Sequence, residues 1–276
     1  LERVDMFNLL CLPGVSDTGM LDEAAAYCVE RRAFLIADPP ANVDTPALME
    51  AYAGGIGLPK NDYAAAYWPW VEVGDPLRPG KTRRCGPSGT IAGLFARTDS
   101  SRGVWKAPAG QEASLVNVQG FAYLATDREN GILNPLGINV LRMFPSTGPV
   151  CWGTRTLRGG DQLASEWKYV PVRRLALYLE ESLYRGLKWA VFEPNGEALW
   201  SQIRMAAGSF LNDLHKQGAF AGTTPRDSYF VKCDSETTSP ADRALGRVNI
   251  HIGFAPLRPA EFVILYLQQM ASQAEA

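Results

Sequence analysis

Residues 6–40 read MFNLLCLPGVSDTGMLDEAAAYCVERRAFLIADPP. The apolar run at 6–12 closes at Pro13-Gly14, a pair that punctuates a chain. Ser16 and Asp17 then supply the side-chain oxygens that start helices. Leu21, Ala24, Ala25, Cys28 and Val29 recur at the spacing of one helix face. Arg31 and Arg32 fall in the last turn, where cations complement the helix dipole. Residues 33–37 form a second apolar run, closed by Asp38-Pro39-Pro40. Strand, helix and strand in that order make a βαβ unit, which requires parallel strands and a right-handed crossover. The first third is therefore α/β with a buried, mostly parallel sheet.

Working outward, the spacing predicts a helix over 46–53 and a strand over 64–68. Ser88 is placed to cap a helix carrying Ile91, Leu94 and Phe95. Residues 106–110 read as a loop. Two β-rich runs, 137–144 and 150–157, flank the turn cluster 145–149. Residues 158–166 read as an exposed linker. Beyond it, Leu175, Tyr178, Leu179, Ser182 and Leu183 mark one face of a helix that starts after Pro171 and ends near Gly186. Residues 189–192 read as a strand. Asn195 is placed to cap a long helix whose apolar face is Leu199, Trp200, Ile203, Ala207, Phe210, Leu211 and Leu214, with Gly218 at its C′ position. Strands at 229–233, 248–254 and 261–269 complete an antiparallel sheet. The expected division is an α/β domain at 1–165, then an α+β inner domain at 166–276 with two helices, an antiparallel sheet and an arm or strand at 261–270.

The composition excludes several classes. The 276 residues are 46% hydrophobic and 20% charged, with a net charge of −2. That is an ordinary globular balance with no basic excess for nucleic acid or a membrane surface. No apolar run reaches the ~20 residues of a bilayer span. Cys11, Cys28, Cys85, Cys151 and Cys233 are scattered without a C-x-x-C, and read as reduced thiols rather than zinc ligands or disulfides. Leu1, not Met, opens the sequence, so the chain is expected to be part of a longer protein.

The chemistry-bearing motifs are weak. The glycine run at 54–59 lacks G-x-G-x-x-G spacing, follows a helix, and ends in Pro59, so it does not cradle a phosphate. Ser88 within Gly86-Pro87-Ser88-Gly89 could be a nucleophile, but a triad needs a histidine, and only His215 and His251 exist. Two isolated histidines and separated thiols give no metal pair, and Asp38 reads as a loop cap. Tyr67-Trp68-Pro69-Trp70 reads as a strand end packed under loops, with a stacking platform or a subunit contact as alternatives. No catalytic, cofactor-binding or metal residue is expected.

Several segments in common order resemble the contractile phage tail sheath family. They are Tyr67-Trp68-Pro69-Trp70 with Asp75-Pro76; Pro87-Ser88-Gly89, then Arg97-Thr98-Asp99 and residues 103–110; Leu133-Asn134 with Gly137-Ile138-Asn139; Trp152-Gly153-Thr154-Arg155-Thr156-Leu157; Tyr169-Val170-Pro171-Val172-Arg173-Arg174; Phe192-Glu193-Pro194-Asn195 with Leu199-Trp200; and Ala255-Pro256 with Pro259-Ala260-Glu261-Phe262. The resemblance runs from Asp5 to about Gln269. It implies a first domain of subtilisin-like fold without protease activity, and an inner domain near a tube. It also implies a structural subunit that stacks as rings or a helix of itself around an inner tail tube, meets baseplate and terminator proteins, and contracts to drive the tube through an envelope. No cofactor, nucleic acid or membrane partner is implied. The setting would be a virion tail or injection particle assembled in the bacterial cytoplasm. The family's N-terminal arm is the part not matched.

Within that resemblance, Glu261, Phe262, Val263, Ile264, Leu265, Tyr266 and Leu267 are the candidates for a strand shared between subunits. The strand is apolar on both faces and needs cover on both; pairing inside its own domain is the alternative. Pro256 and Pro259 bracket a stiff lead into it. Arg173, Arg174, Arg185 and Lys188 are the candidates for a basic face toward the tube; a solvated face, or arginine stems packed on the domain's own aromatics, is the alternative. Two other function classes stay open: a degenerate α/β hydrolase, and a non-contractile baseplate or tail component.

Overall fold

The computed structural model describes residues 1–261. β1 (Leu9–Cys11) passes through α1 (Thr18–Arg31) to β2 (Phe34–Ala37), and the two strands pair in parallel, as the βαβ reading requires. Asp17 caps α1 by accepting the Met20 N–H at 2.9 Å. α2 (Pro46–Gly54) is capped by Thr45 and carries Pro in its first turn, where the missing N–H costs nothing. It delivers β3 (Ala64–Trp68), parallel to β2. β4 (Val71–Gly74), β5 (Thr82–Cys85), α3 (Ser88–Arg102), β6 (Val118–Phe121) and α4 (Asp127–Leu133) then intervene. β7 (Ile138–Phe144) returns to lie parallel to β3, and β8 (Gly148–Cys151) turns back antiparallel to it. The main sheet has the order β1-β2-β3-β7-β8.

Side chains alternate across a strand, so each strand serves two layers. Leu35, Ala37, Ala64, Ala66, Trp68, Ile138 and Val140 pack with residues of α1, α2 and α4. Phe34, Ile36, Ala65, Tyr67 and Leu141 pack with Ile91, Leu94 and Phe95 of α3. Cover on both faces is why β2 and β3 read as unbroken apolar runs. β4, β5 and β6 form a separate antiparallel sheet that the sequence reading did not anticipate.

α5 (Val170–Gly186) and α6 (Glu197–Lys216) follow. Then come α7 (Pro225–Ser228), β9 (Tyr229–Lys232), α8 (Pro240–Ala244) and β10 (His251–Phe254), with β9 and β10 antiparallel. α5 is a shared helix. Its Val170 and Leu177 join the core of the main sheet. Its Leu175 and Leu179 pack with Leu211 and Leu214 of α6 and with Phe220. α6 stops at Gly218, whose φ of 79° suits a residue without Cβ.

Four expectations are corrected. Residues 189–192 are not a strand: Lys188–Ala190 is a 3-10 turn, and Phe192 stands 101% exposed at φ 72°. The residue types suit a strand, but among the described residues no sheet edge pairs with it. Asn195 does not cap α6; Gly196 holds that position. The Asn195 side chain is taken by tertiary partners, accepting the Trp200 indole N–H at 2.9 Å and donating to the Arg247 carbonyl at 2.8 Å. Ser88 lies inside α3 rather than capping it, because Asp38 takes the capping role. The run at 150–157 leaves the sheet at Cys151, and its later part is held by isolated backbone bonds, among them Thr156 N–H to the Lys168 carbonyl at 2.9 Å and Leu157 N–H to the Ala64 carbonyl at 2.7 Å, rather than by a continued ladder. Of the expected C-terminal strands, the first two are β9 and β10; residues 262–269 of the third lie outside the described residues.

Candidate functional site

The residues weighed for hydrolysis are not brought together. Ser88 is fully buried and donates its hydroxyl directly to Asp38 at 2.8 Å, with no imidazole between. The Ser88 N–H donates to the other Asp38 oxygen at 2.8 Å, and Gly14 N–H adds a third bond at 3.2 Å. Asp38 thus satisfies the start of α3 from the end of β2. Burial raises its pKa, against the lowering effect of the Ser88 and Gly14 bonds. His215 instead meets Ser228, 2.9 Å from Nδ1, and His251 is exposed on β10. Among the described residues, no three His, Cys, Asp or Glu gather as a metal would need. All five cysteines are free, and Cys28, Cys151 and Cys233 are buried. Trp68 is fully buried and donates to the Val43 carbonyl at 2.7 Å, which fits the packed-strand reading.

The concentrated polar chemistry lies where α5 meets the main sheet. Arg173 and Arg174 open that helix, and each is only 6% exposed. Arg173 pairs with Asp62. Its guanidinium lies 3.5 Å from the Trp167 ring centroid and 4.4 Å from that of Tyr63. Arg174 makes a fork to Asp99, at 2.9 and 2.6 Å, and lies 4.7 Å from the Phe95 centroid. The expected basic helix face is therefore corrected for these two. They turn inward because weakly hydrated, planar guanidinium groups find carboxylates and aromatic planes there. Arg185 is partly exposed but engaged by Asp5 and Glu181 at 2.9 and 2.5 Å. Lys188 is exposed, with its amine 5.4 Å from the Tyr184 centroid.

A third arginine, Arg155, is fully buried. Its backbone is set by Asn139 of β7, whose side-chain oxygen accepts the Arg155 N–H at 2.6 Å. The same amide donates to the carbonyls of Arg155 and Ala66 at 2.7 and 3.1 Å. The close approach needs glycine at 153, since a Cβ there would stand 2.7 Å from the Asn139 Cα. The Arg155 guanidinium forks onto Glu261: Nε to Oε1 and Nη2 to Oε2, both 2.7 Å. Nη1 serves the Asn134 carbonyl at 3.0 Å and Asp161 at 2.9 Å. Tyr169 donates to Glu261 at 3.1 Å, and the Lys168 amine stands 3.7 Å away. Burial pushes the Glu261 pKa up, but the Arg155, Tyr169 and Lys168 contacts outweigh it and hold the carboxyl below its ordinary value.

Glu261 is thus the one strand-sharing candidate within the described residues. Phe262, Val263, Ile264, Leu265, Tyr266 and Leu267 lie outside them. Sequence reading assigned Arg155 no role. The available signal was an arginine within the apolar run Val150-Cys151-Trp152-Gly153-Thr154-Arg155-Thr156-Leu157, since a charge in such a run needs a buried partner. The geometry holds chain segments together.

The family model for the phage tail sheath protein central domain matches residues 3–157. That for the phage tail sheath C-terminal domain matches residues 163–269. The chain is 28% identical over 260 residues to a prophage major tail sheath protein of Pseudomonas aeruginosa, covering 92% of this chain and 62% of the relative. Among solved structures, the anti-feeding prophage baseplate contains a chain with a TM-score of 0.82 at 34% identity, covering 98% of this chain and 70% of the other. The sheath complex of an extracellular contractile injection system, in its contracted state, gives 0.80 at 32%, covering 99% and 73%. The chain spans less than two thirds of the length of the curated relatives it matches, 62% in the case above.

Proposed function

Because the chain belongs to the phage tail sheath family, we propose that it is a structural subunit of a contractile sheath. It polymerises with copies of itself around an inner tube, engages a baseplate, and shortens to drive the tube through a target envelope. The observation that carries this is the likeness, over nearly the whole chain, to a sheath captured in the contracted state. Its place is a tail or injection particle, with a tube protein and baseplate and terminator proteins as partners.

We propose further that the chain is organised as a first domain at 1–165 and an inner domain at 166–276. The break between the two family matches, after 157 and before 163, supports that division. A subtilisin-like fold of the first domain is supported by four parallel strands flanked by helices on both faces. Residues 261–267 serve as the strand added to a neighbouring subunit, a mode in which backbone bonds supply affinity while the connection absorbs motion. Arg185 and Lys188 are the basic groups left for the tube. Their contribution is small, because exposed ion pairs contribute about 0–1 kcal/mol each.

The test is negative-stain electron microscopy of the full-length protein with and without its tube protein. Hollow tubes or striated sheaths are expected. Compact particles alone, with all arms intact, would refute the reading.

A further inference from the structure

We propose that Arg155 is the anchor through which the C-terminal segment is rooted in the main sheet. Pull on residues beyond Glu261 then enters the β3–β7 core rather than the β9–β10 sheet. The inference rests on the sheath reading above.

Three observations carry it. First, the stretch from β10 to Glu261 is otherwise loosely held. Ala255 and Pro256 still pair with Ser228, Ala221 and Phe220. Among the described residues, however, 257–260 make no hydrogen bond, and Leu257, Arg258 and Ala260 are exposed. The Glu261 carboxylate is their polar attachment. Second, that attachment is a planar fork of two bonds at 2.7 Å from a fully buried guanidinium. A fork fixes direction as well as distance, and an ammonium group does not reproduce it. Third, Arg155 is built into the centre of the first domain. Asn139 of β7 holds its backbone on both sides, and Leu157 N–H donates to the Ala64 carbonyl of β3 at 2.7 Å. Glu261 thus reaches Arg155, 106 residues back along the chain, and through it connects in two steps to strands in the middle of the main sheet.

Arg155 is a positioning residue, so its test needs a readout beyond folding. Glu261→Gln is the first variant, because it leaves Arg155 paired with Asp161 and the Asn134 carbonyl. Arg155→Met and Arg155→Lys accompany it. Thermolysin cuts before large apolar residues, and Leu257 and Phe262 offer such sites here. In the full-length protein, Glu261→Gln and Arg155→Met are expected to raise the first-cut rate within 255–262 by about tenfold or more, as loss of charge-assisted bonds implies. The thermal midpoint of Glu261→Gln should stay near wild type. With the tube protein present, both variants should fail to build full-length sheaths, and Arg155→Lys should fall between. An unchanged cut rate overturns the proposal. So does a faster cut rate with sheaths of normal length that contract normally. Wild-type protein that builds no sheath with its tube sinks the sheath reading instead, and the cut rates still decide whether Arg155 holds the segment. If Arg155→Met does not fold, Glu261→Gln carries both measurements.

Discussion

Replacing Arg173 by Met keeps most of the side chain's volume and removes its charge. Asp62, 8% exposed, then loses the guanidinium that neutralises it. Removing one partner of a buried ion pair costs about 3–5 kcal/mol, because the other charge stays buried. The contact with Trp167 at 3.5 Å is lost too, and such contacts contribute up to about 2 kcal/mol when desolvated; that loss falls within the larger figure. Against a typical domain stability of about 5–15 kcal/mol, the variant still folds but with a much lower urea midpoint. The informative comparison is the double variant Arg173→Met with Asp62→Asn. It removes the stranded charge, so it should recover about 1.5–3 kcal/mol relative to the sum of the single changes. Among the described residues the Arg173 Nε is buried without a hydrogen-bond partner, so the wild-type pair is itself incompletely satisfied. The assay is equilibrium urea unfolding of all four proteins, checked for equal slopes. A single-variant cost below about 1 kcal/mol, or strict additivity in the double, would refute the inward-facing assignment of Arg173.

The Arg155–Glu261 fork should be acid-sensitive. The Glu261 pKa in the folded chain lies below its ordinary value of 4.5, so its contribution is complete above 4.5 and is lost as pH falls through the lower, folded value. Thermolysin cutting is impractical in acid, so pepsin cutting within 255–262 is the measurement, and it should accelerate below that point. Asp38→Ala should cost about 2–3 kcal/mol, since it strands two N–H groups and the Ser88 hydroxyl, whereas Ser88→Ala should cost only about 1; thermal melts of the two variants decide it. Gly153→Ala should cost about 1–3 kcal/mol by overpacking against the Asn139 backbone, read by the same melts.

What was legible in the sequence is what local pattern controls. The first strand and helix, the second strand and β3 follow from apolar period and punctuation, and they lie close to where they were expected. β5 was illegible because Thr82-Arg83-Arg84-Cys85 is largely exposed and carries no apolar alternation. It is a strand because β4 offers it an edge. The reverse error occurred at 189–192, where strand-like residue types met no edge among the described residues. The arginine pairs were out of reach for a related reason. Arg173 and Arg174 sit at helix positions that look solvent-facing in isolation, and their carboxylates lie 111 and 75 residues away. A basic pair on a helix signals a partner or a surface; only the fold says which. Glu261 is the same case, since in sequence it reads as the first residue of an apolar strand.

The buried arginines Arg155, Arg173 and Arg174 have a common consequence for how such a subunit can move. Hydrophobic contact is nearly indifferent to small sliding, because it depends on area rather than direction. α5 alone, packed through Val170 and Leu177 on one core and Leu175 and Leu179 on another, would leave such sliding open. Arg173–Asp62 and Arg174–Asp99 tie the start of that helix to the turn before β3 and to α3. Arg155–Glu261 ties the last described residue to the segment after β8. Each pair is directional, and opening Arg173–Asp62, the pair buried on both sides, strands charges at about 3–5 kcal/mol. A rearrangement that hinged the two parts of the chain would have to break all three. One that rotates whole subunits against each other breaks none. On the proposed sheath function, the motion of contraction therefore belongs between subunits, while each body from β1 to β10 travels as a unit.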